Sequence, residues 1–200
     1  MDDVADATAS PGAPGARLVA TLTEAHETVA CAESLTAGLV AATVADTPGA
    51  SKVLLGGVVA YAAEVKTALL DVPADLVARV GTVDPEVAVL MAEGVRRRLG
   101  STWGLATTGV AGPGPAEGKP AGTVHVAVAG PSGTVARALQ LKGSRAEIRS
   151  ATVDAVLRLA VEETGATRRT PAPPWDPRGT VGLSGQPGDG SAPERTTPAT

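Results

Sequence analysis

One cysteine stands in a chain of 200 residues, so no internal disulfide is available and a reducing compartment fits. Cys31 lies inside an apolar run, which favours inert packing over chemistry. Histidine is nearly as scarce. His26 and His125 are the two present, and neither sits in a stretch suited to a His-dependent nucleophile, so a Ser-His-Asp arrangement is not expected. His, Cys and carboxylates nowhere gather at metal-ligand spacing, and no metal cofactor is expected. Basic residues form no stripe and do not interleave with aromatics. With a formal net charge of −4, this disfavours direct nucleic-acid binding. No apolar stretch is long enough to cross a membrane, and the acidic start Met1-Asp2-Asp3 is unlike a secretory leader, so the expected location is cytoplasmic.

What is present is a set of three chemistry-bearing segments. In the first, the apolar run Thr28 to Ala32 reads as a short buried strand, and Thr36 to Ala45 carries Leu39, Val40 and Val44 at helical spacing. Ser34 lies between them, at a strand-to-helix turn whose unpaired N–H groups and helix dipole favour developing negative charge. Such a place suits a nucleophile. It equally suits an ordinary helix N-cap.

In the second segment, Val58 to Lys66, a strand-like stretch ending at Tyr61 passes into a helix. Lys66 has Leu69 and Leu70 on its helical face. A lysine there either extends its ammonium to water or is desolvated, and desolvation lowers its pKa toward neutrality. The desolvated amine is a general base for a serine. The third segment, Thr107 to Pro115, is a glycine-rich loop after the strand-like Trp103 to Ala106, and Lys119 to Val124 follows it. Its glycines let backbone approach a ligand closely. It lacks both the Gly-Lys-Ser/Thr ending of a P-loop and the Gly-x-Gly-x-x-Gly fingerprint.

Alternating patterns organise the chain around these segments. Helices are expected at Arg17–Glu27, Thr36–Ala45, Ala63–Leu70, from Asp84-Pro85 to Leu99-Gly100, and at Arg145–Glu163, with a helical turn at Pro73–Arg79. Strands are expected at Thr28–Ala32, Val53–Tyr61, Trp103–Thr107, Thr123–Ala129 and Thr134–Leu141, the last two joined around Pro131-Ser132-Gly133. Arg96-Arg97-Arg98 marks a helix end, where cations suit the dipole. This order predicts an α/β fold, a three-layer α/β/α sandwich with a mixed, mostly parallel sheet. The domain is expected at residues 15–165. Residues 1–14, small and weakly hydrophobic, and residues 166–200, rich in Pro, Gly, Ser and Thr, are expected to be disordered tails, with Trp175 an isolated aromatic in the second.

In order and spacing, the segments resemble the CinA C-terminal domain family, whose stand-alone members deamidate nicotinamide mononucleotide. The family pattern runs A-E-S-C-T-G-G, Y-S-N-E-x-K, T-G-I-A-G-P-G-G, K-P-x-G-T-V and G-D-R-x-x-I-R. Ala32 to Gly38, Tyr61 to Lys66, Thr108 to Pro115, Lys119 to Val124 and Gly143 to Arg149 match it. The departures are Leu35 for Cys, Ala37 for Gly, Ala62-Ala63 for Ser-Asn, and Ser144 for Asp. The resemblance implies Ser34 as nucleophile, Lys66 as base, and Tyr61 as a proton relay or a holder of Lys66. It further implies that Glu33, Thr36, Thr108, Gly109, Ala111 and Gly112 contact the nucleotide and that Arg145 pairs with its 5′-phosphate. The implied partner is a small-molecule nucleotide, with the chain acting as a homodimer. Two rival readings are a catalytically weak nucleotide-binding or interaction module, and an amidohydrolase for a different small carboxamide.

Overall fold

The computed structural model describes residues 12–166. Most of both expected tails, and Trp175, lie outside the described residues. The chain runs α1 (Pro14–Ala25), β1 (Val29–Glu33), α2 (Leu39–Ala45), β2 (Leu54–Val59), α3 (Ala63–Leu70), α4 (Ala74–Val80), α5 (Pro85–Leu99), β3 (Trp103–Gly109), β4 (Thr123–Gly130), β5 (Gly133–Gln140) and α6 (Arg145–Ala166). Most ends fall within three residues of expectation. One boundary difference bears on function: α2 starts at Leu39 rather than Thr36, leaving a free-standing turn after Ser34.

The five strands form one sheet in the order β2-β1-β3-β4-β5. β1 pairs in parallel with both β2 and β3, while β4 is antiparallel to β3 and to β5. Four of the five strands therefore point the same way, giving the mixed α/β architecture expected. From β1 the chain crosses to β2 on one side and then to β3 on the other. The carboxyl ends of β1 and β3 thus flank the point where strand order reverses, the usual crevice for a ligand in open α/β sheets.

Side chains alternate across the sheet with period two. Val29, Cys31, Trp103, Leu105, Val124, Val126 and Val128 pack against α1, α2 and α6. Ala30, Ala32, Ala106, Ala127 and Ala129 face α5 with the ends of α3 and α4. The second face is almost all alanine, so α5 lies close on the sheet. Its start is fixed by Asp84, whose carboxylate accepts the Glu86 N–H at 2.8 Å, with Pro85 in the first turn. At its far end Arg97 and Arg98 pair with Asp71 beside α3. Among the described residues no helix is long and apolar enough to cross a membrane.

Two glycines permit this close packing. A Cβ on Gly104 would collide with the Ala92 carbonyl, and one on Gly94 with the Leu70 carbonyl that ends α3. Gly94 decides where α3 sits, and α3 carries Lys66. In an exposed helix, Gly→Ala stabilises by about 1 kcal/mol. Here the sign reverses: Gly94→Ala forces α3 and α5 apart and costs about 1–3 kcal/mol. Thermal denaturation is expected to show a melting temperature several degrees below that of the parent; an unchanged or raised value would contradict this packing.

Candidate active site

The alternation that builds the sheet also aims the site residues. Along β1, Val29, Cys31 and Glu33 point to the α2 side, and Ala30 and Ala32 to the α3 and α5 side. The ladder continues one residue further, since the Ser34 N–H donates to the Thr107 carbonyl at 2.9 Å. Ser34 thus points toward α3, where Lys66 waits, and Glu33 points under the start of α2.

Glu33 is 1% exposed. Its carboxylate accepts the N–H groups of Gly38, Val40 and Ala41 at 2.9, 3.0 and 2.9 Å. These are the unpaired donors of a helix start, and a carboxylate is well placed there for the dipole too. The turn before α2 passes through two left-handed residues, Ala37 at φ 51° and Gly38 at φ 98°. Arg149 of α6 holds the turn's other side, donating to the carbonyls of Leu35 at 2.9 Å and Thr36 at 2.7 Å. The hydroxyls of Thr36 and Thr107 bond each other at 2.7 Å. Ser34 is fixed by a turn clamped on both faces, and it is not the N-cap of α2, which is Gly38.

Lys66 is fully buried. Its Nζ lies 3.0 Å from Ser34 Oγ, 2.7 Å from the Ala60 carbonyl oxygen and 3.2 Å from that of Tyr61. Burial lowers its pKa from 10.5 to about 8, against the opposing charges of Glu117 and Glu64. A neutral amine has two N–H donors and one lone pair. Two carbonyls take the donors, and the lone pair is left for the Ser34 hydroxyl proton. An ammonium would instead donate to all three oxygens, so the geometry accommodates both forms, and only the neutral one can take the serine proton.

Ser34 opens into a cavity of about 350 Å³, walled by Leu35, Tyr61, Thr82 and Val83, the loop from Gly109 to Glu117, and Arg145. The Tyr61 phenol is half exposed and accepts from Arg145 at 2.8 Å, while Arg145 also donates to the Gly112 carbonyl at 2.9 Å. The loop is held to the start of α5 by Glu117, whose carboxylate bonds Thr82 and Val83.

Of the residues singled out from sequence, Ser34, Lys66 and Tyr61 converge, and Gly109, Ala111, Gly112 and Arg145 line the same cavity. Three expectations are corrected. Glu33 spends its carboxylate on α2 and does not face the cavity. Thr36 is fully buried against Thr107, and Thr108 is fully buried with its hydroxyl on the Thr82 carbonyl at 2.7 Å; neither lines the cavity. Tyr61 holds Lys66 through its backbone carbonyl, while its phenol serves Arg145. Sequence reasoning missed Thr82, Glu117 and Arg149. Arg149 closes a matched motif and Glu117 precedes Lys119-Pro120, so proximity to motifs was the available signal. Cys31 is inert, since burial and then the Glu33 charge raise its thiol pKa.

The departures from the family pattern have local explanations. Ser144 donates to Glu147 at 2.7 Å through both its N–H and its hydroxyl, and serine caps a helix as well as aspartate. Leu35 is packed in the core. Ala63 leaves Lys66 unaffected, because backbone carbonyls orient the amine.

A model of the CinA C-terminal domain matches residues 14–164. A CinA-like protein of Frankia casuarinae is 51% identical over 138 residues, which are 69% of this chain and 32% of that protein. A CinA-like protein of Anaeromyxobacter sp. (strain Fw109-5) is 50% identical over 145 residues, 72% of this chain and 35% of its own. The chain spans about a third of the length of these curated relatives. The crystal structure of competence/damage inducible protein CihA from Agrobacterium tumefaciens aligns with a TM-score of 0.72 at 32% identity, covering 74% of this chain and 92% of that one.

Ala37 offers a direct test of the turn. A left-handed conformation costs an L-residue about 1–2 kcal/mol that glycine does not incur. Ala37→Gly is expected to raise the melting temperature by a few degrees, measured by calorimetry; a clear fall would show that the turn is not held left-handed.

Proposed function

Since the chain belongs to the CinA C-terminal domain family, we propose that it is an amidohydrolase that converts nicotinamide mononucleotide to nicotinate mononucleotide and ammonia. The observation that carries this reading is the 3.0 Å contact between Lys66 Nζ and Ser34 Oγ, with the lysine buried and the serine at the floor of a cavity. A buried amine whose pKa is lowered to about 8 and whose nitrogen meets a hydroxyl has no evident purpose in stability. Burying it is costly, and it cements no ion pair.

In the first step Lys66 takes the Ser34 proton while Oγ attacks the carboxamide carbon, giving a tetrahedral oxyanion. The turn supplies donors for that charge. Ser34's carbonyl accepts from the Ala37 N–H, and the Leu35 carbonyl points to Arg149. Across a trans peptide the next N–H points the opposite way, so the N–H groups of Leu35 and Thr36 are turned away from those partners. They are the donors assigned to the oxyanion, an arrangement whose single contacts are worth about 10²–10³ in rate elsewhere. Lys66, now an ammonium, returns the proton to the departing nitrogen, and the C–N bond breaks to release ammonia. Water then loses a proton to Lys66 and attacks the acyl-serine, and collapse frees the carboxylate and Ser34.

Arg145, held at the rim by Tyr61 and the Gly112 carbonyl, is the residue for the 5′-phosphate, which suits its planar guanidinium. Gly109 to Gly112 approach the substrate through backbone. The weak-binder reading rested on the replaced Leu35, Ala37 and Ala63. None of their side chains bonds Ser34 or Lys66, so the amidase reading is the better supported.

Ser34→Ala and Lys66→Ala are each expected to remove nearly all ammonia release while leaving the fold intact. The two residues act as one unit, so the double variant should be little worse than either single one. Coupled assays of ammonia across the three variants check this, and multiplicative losses would contradict it. Turnover should also rise with pH, because deprotonation activates Lys66. The midpoint is expected near 8 with a plateau above, and a profile flat from pH 6.5 to 9.5 would contradict the base assignment.

A further inference from the structure

Of the residues that line the cavity, two carry formal charge, Glu117 and Arg145, and their signs are opposite. Arg145 has its assignment at the phosphate end. Glu117 has none, although it faces the same space as Ser34.

The Glu117 carboxylate is held in place with its charge intact. Oε1 accepts the Thr82 hydroxyl at 2.6 Å, and Oε2 accepts the N–H groups of Thr82 at 2.7 Å and Val83 at 3.2 Å. Burial alone would raise its pKa. The Thr82 hydroxyl, the two N–H groups and the charge of Lys119 outweigh burial and hold it below the usual carboxylate value, so the group is ionised at neutral pH. The three hydrogen-bond donors are neutral dipoles that fix the carboxylate without neutralising it. Lys119, the nearby cation, gives its ammonium to the Val80 carbonyl at 3.1 Å and is not among the lining residues. Its negative charge also opposes the lowering of the Lys66 pKa.

An anion at that position opposes the base, because it favours the protonated lysine. A positive ring bound beside Glu117 would cancel that field and be attracted by it. We propose that Glu117 selects the ring charge of the substrate, favouring a carboxamide on a cationic, N-substituted heteroaromatic ring over the same carboxamide on a neutral ring. This assignment rests on the deamidase reading and extends it: the cavity is matched to an inner salt, a ring cation toward Glu117 and a phosphate toward Arg145. A latch holding the loop to the start of α5 is the competing role, and a latch would be indifferent to ring charge.

The whole 200-residue chain carrying Ser34→Ala, which binds without consuming ligand, separates these roles. Calorimetric Kd values would be measured for nicotinamide mononucleotide, whose ring is cationic, and for its neutral carbon-linked isostere, benzamide riboside 5′-monophosphate. The cation is expected to bind about tenfold more tightly, the scale of one partly screened charge pair. Adding Glu117→Gln should bring the two values within about twofold by weakening the cation alone, while Glu117→Asp should retain the preference. Equal weakening of both ligands by Glu117→Gln, or a preference that survives it, would overturn the assignment. In the chain with Ser34 intact, Glu117→Gln should also shift the midpoint of turnover to lower pH, with the Glu64 charge still acting on Lys66. Charge-selective binding without ammonia release from the parent would defeat the deamidase reading and leave Glu117's role standing. Turnover without charge selection would do the reverse.

Discussion

Placing a lysine ammonium out of water is the constraint around which this site is built. Lys66 is sealed among backbone carbonyls and one hydroxyl, with no carboxylate in hydrogen-bond contact to keep it charged. In such a setting the pKa falls to about 8, which brings the neutral amine within reach near neutral pH, and each neighbouring element has a part in maintaining this. The end of β2 delivers the Ala60 and Tyr61 carbonyls, α3 delivers the side chain, and α5 closes the space behind. Gly94 lets α5 come against the carbonyl end of α3. A shift of α3 would move the amine off Ser34 and admit water, restoring the ordinary pKa.

The serine is held by an independent set of contacts. Glu33 satisfies the N–H groups at the start of α2, and Arg149 satisfies the carbonyls of the preceding turn. Between them the peptide planes after Ser34 have little freedom, so on the proposed mechanism the oxyanion donors would be set before substrate arrives. Such preorganisation avoids reorienting dipoles at the moment of reaction. The same clamp explains why Leu35 and Ala37 are tolerated: the turn depends on backbone groups and on two charged side chains outside it, and less on the side chains within it.

Much of this was readable beforehand, and the exceptions have physical causes. The layers followed from alternating helical and strand patterns, because strands β1 and β3 are short apolar runs and α5 carries both a capping Asp84-Pro85 and a closing Gly100. Ser34 and Lys66 were legible because a serine after a buried strand and a lysine on an apolar helical face are unusual placements. Glu33 was misassigned because adjacency in sequence does not convey the side of the sheet; period-two alternation sends it opposite to Ser34. Thr36 and Thr108 were misassigned for a related reason, since both hydroxyls are consumed by partners 71 and 26 residues away. The late start of α2 escaped notice because Ala37 is a poor left-handed residue. Glu117 and Arg149 act across 35 and 114 residues, distances at which local pattern carries no information.

The central claim is that the fold itself, before any substrate binds, brings the Lys66 amine near neutrality against Ser34. Isotope-edited NMR titration of the lysine side-chain signals in the unliganded protein tests this most directly, with Lys66 assigned by its loss in Lys66→Met and with Lys52 and Lys142 as internal references. The account predicts a midpoint for Lys66 of about 8. A midpoint at the ordinary value of 10.5 would mean that the amine stays charged beside Ser34 and cannot act as its base.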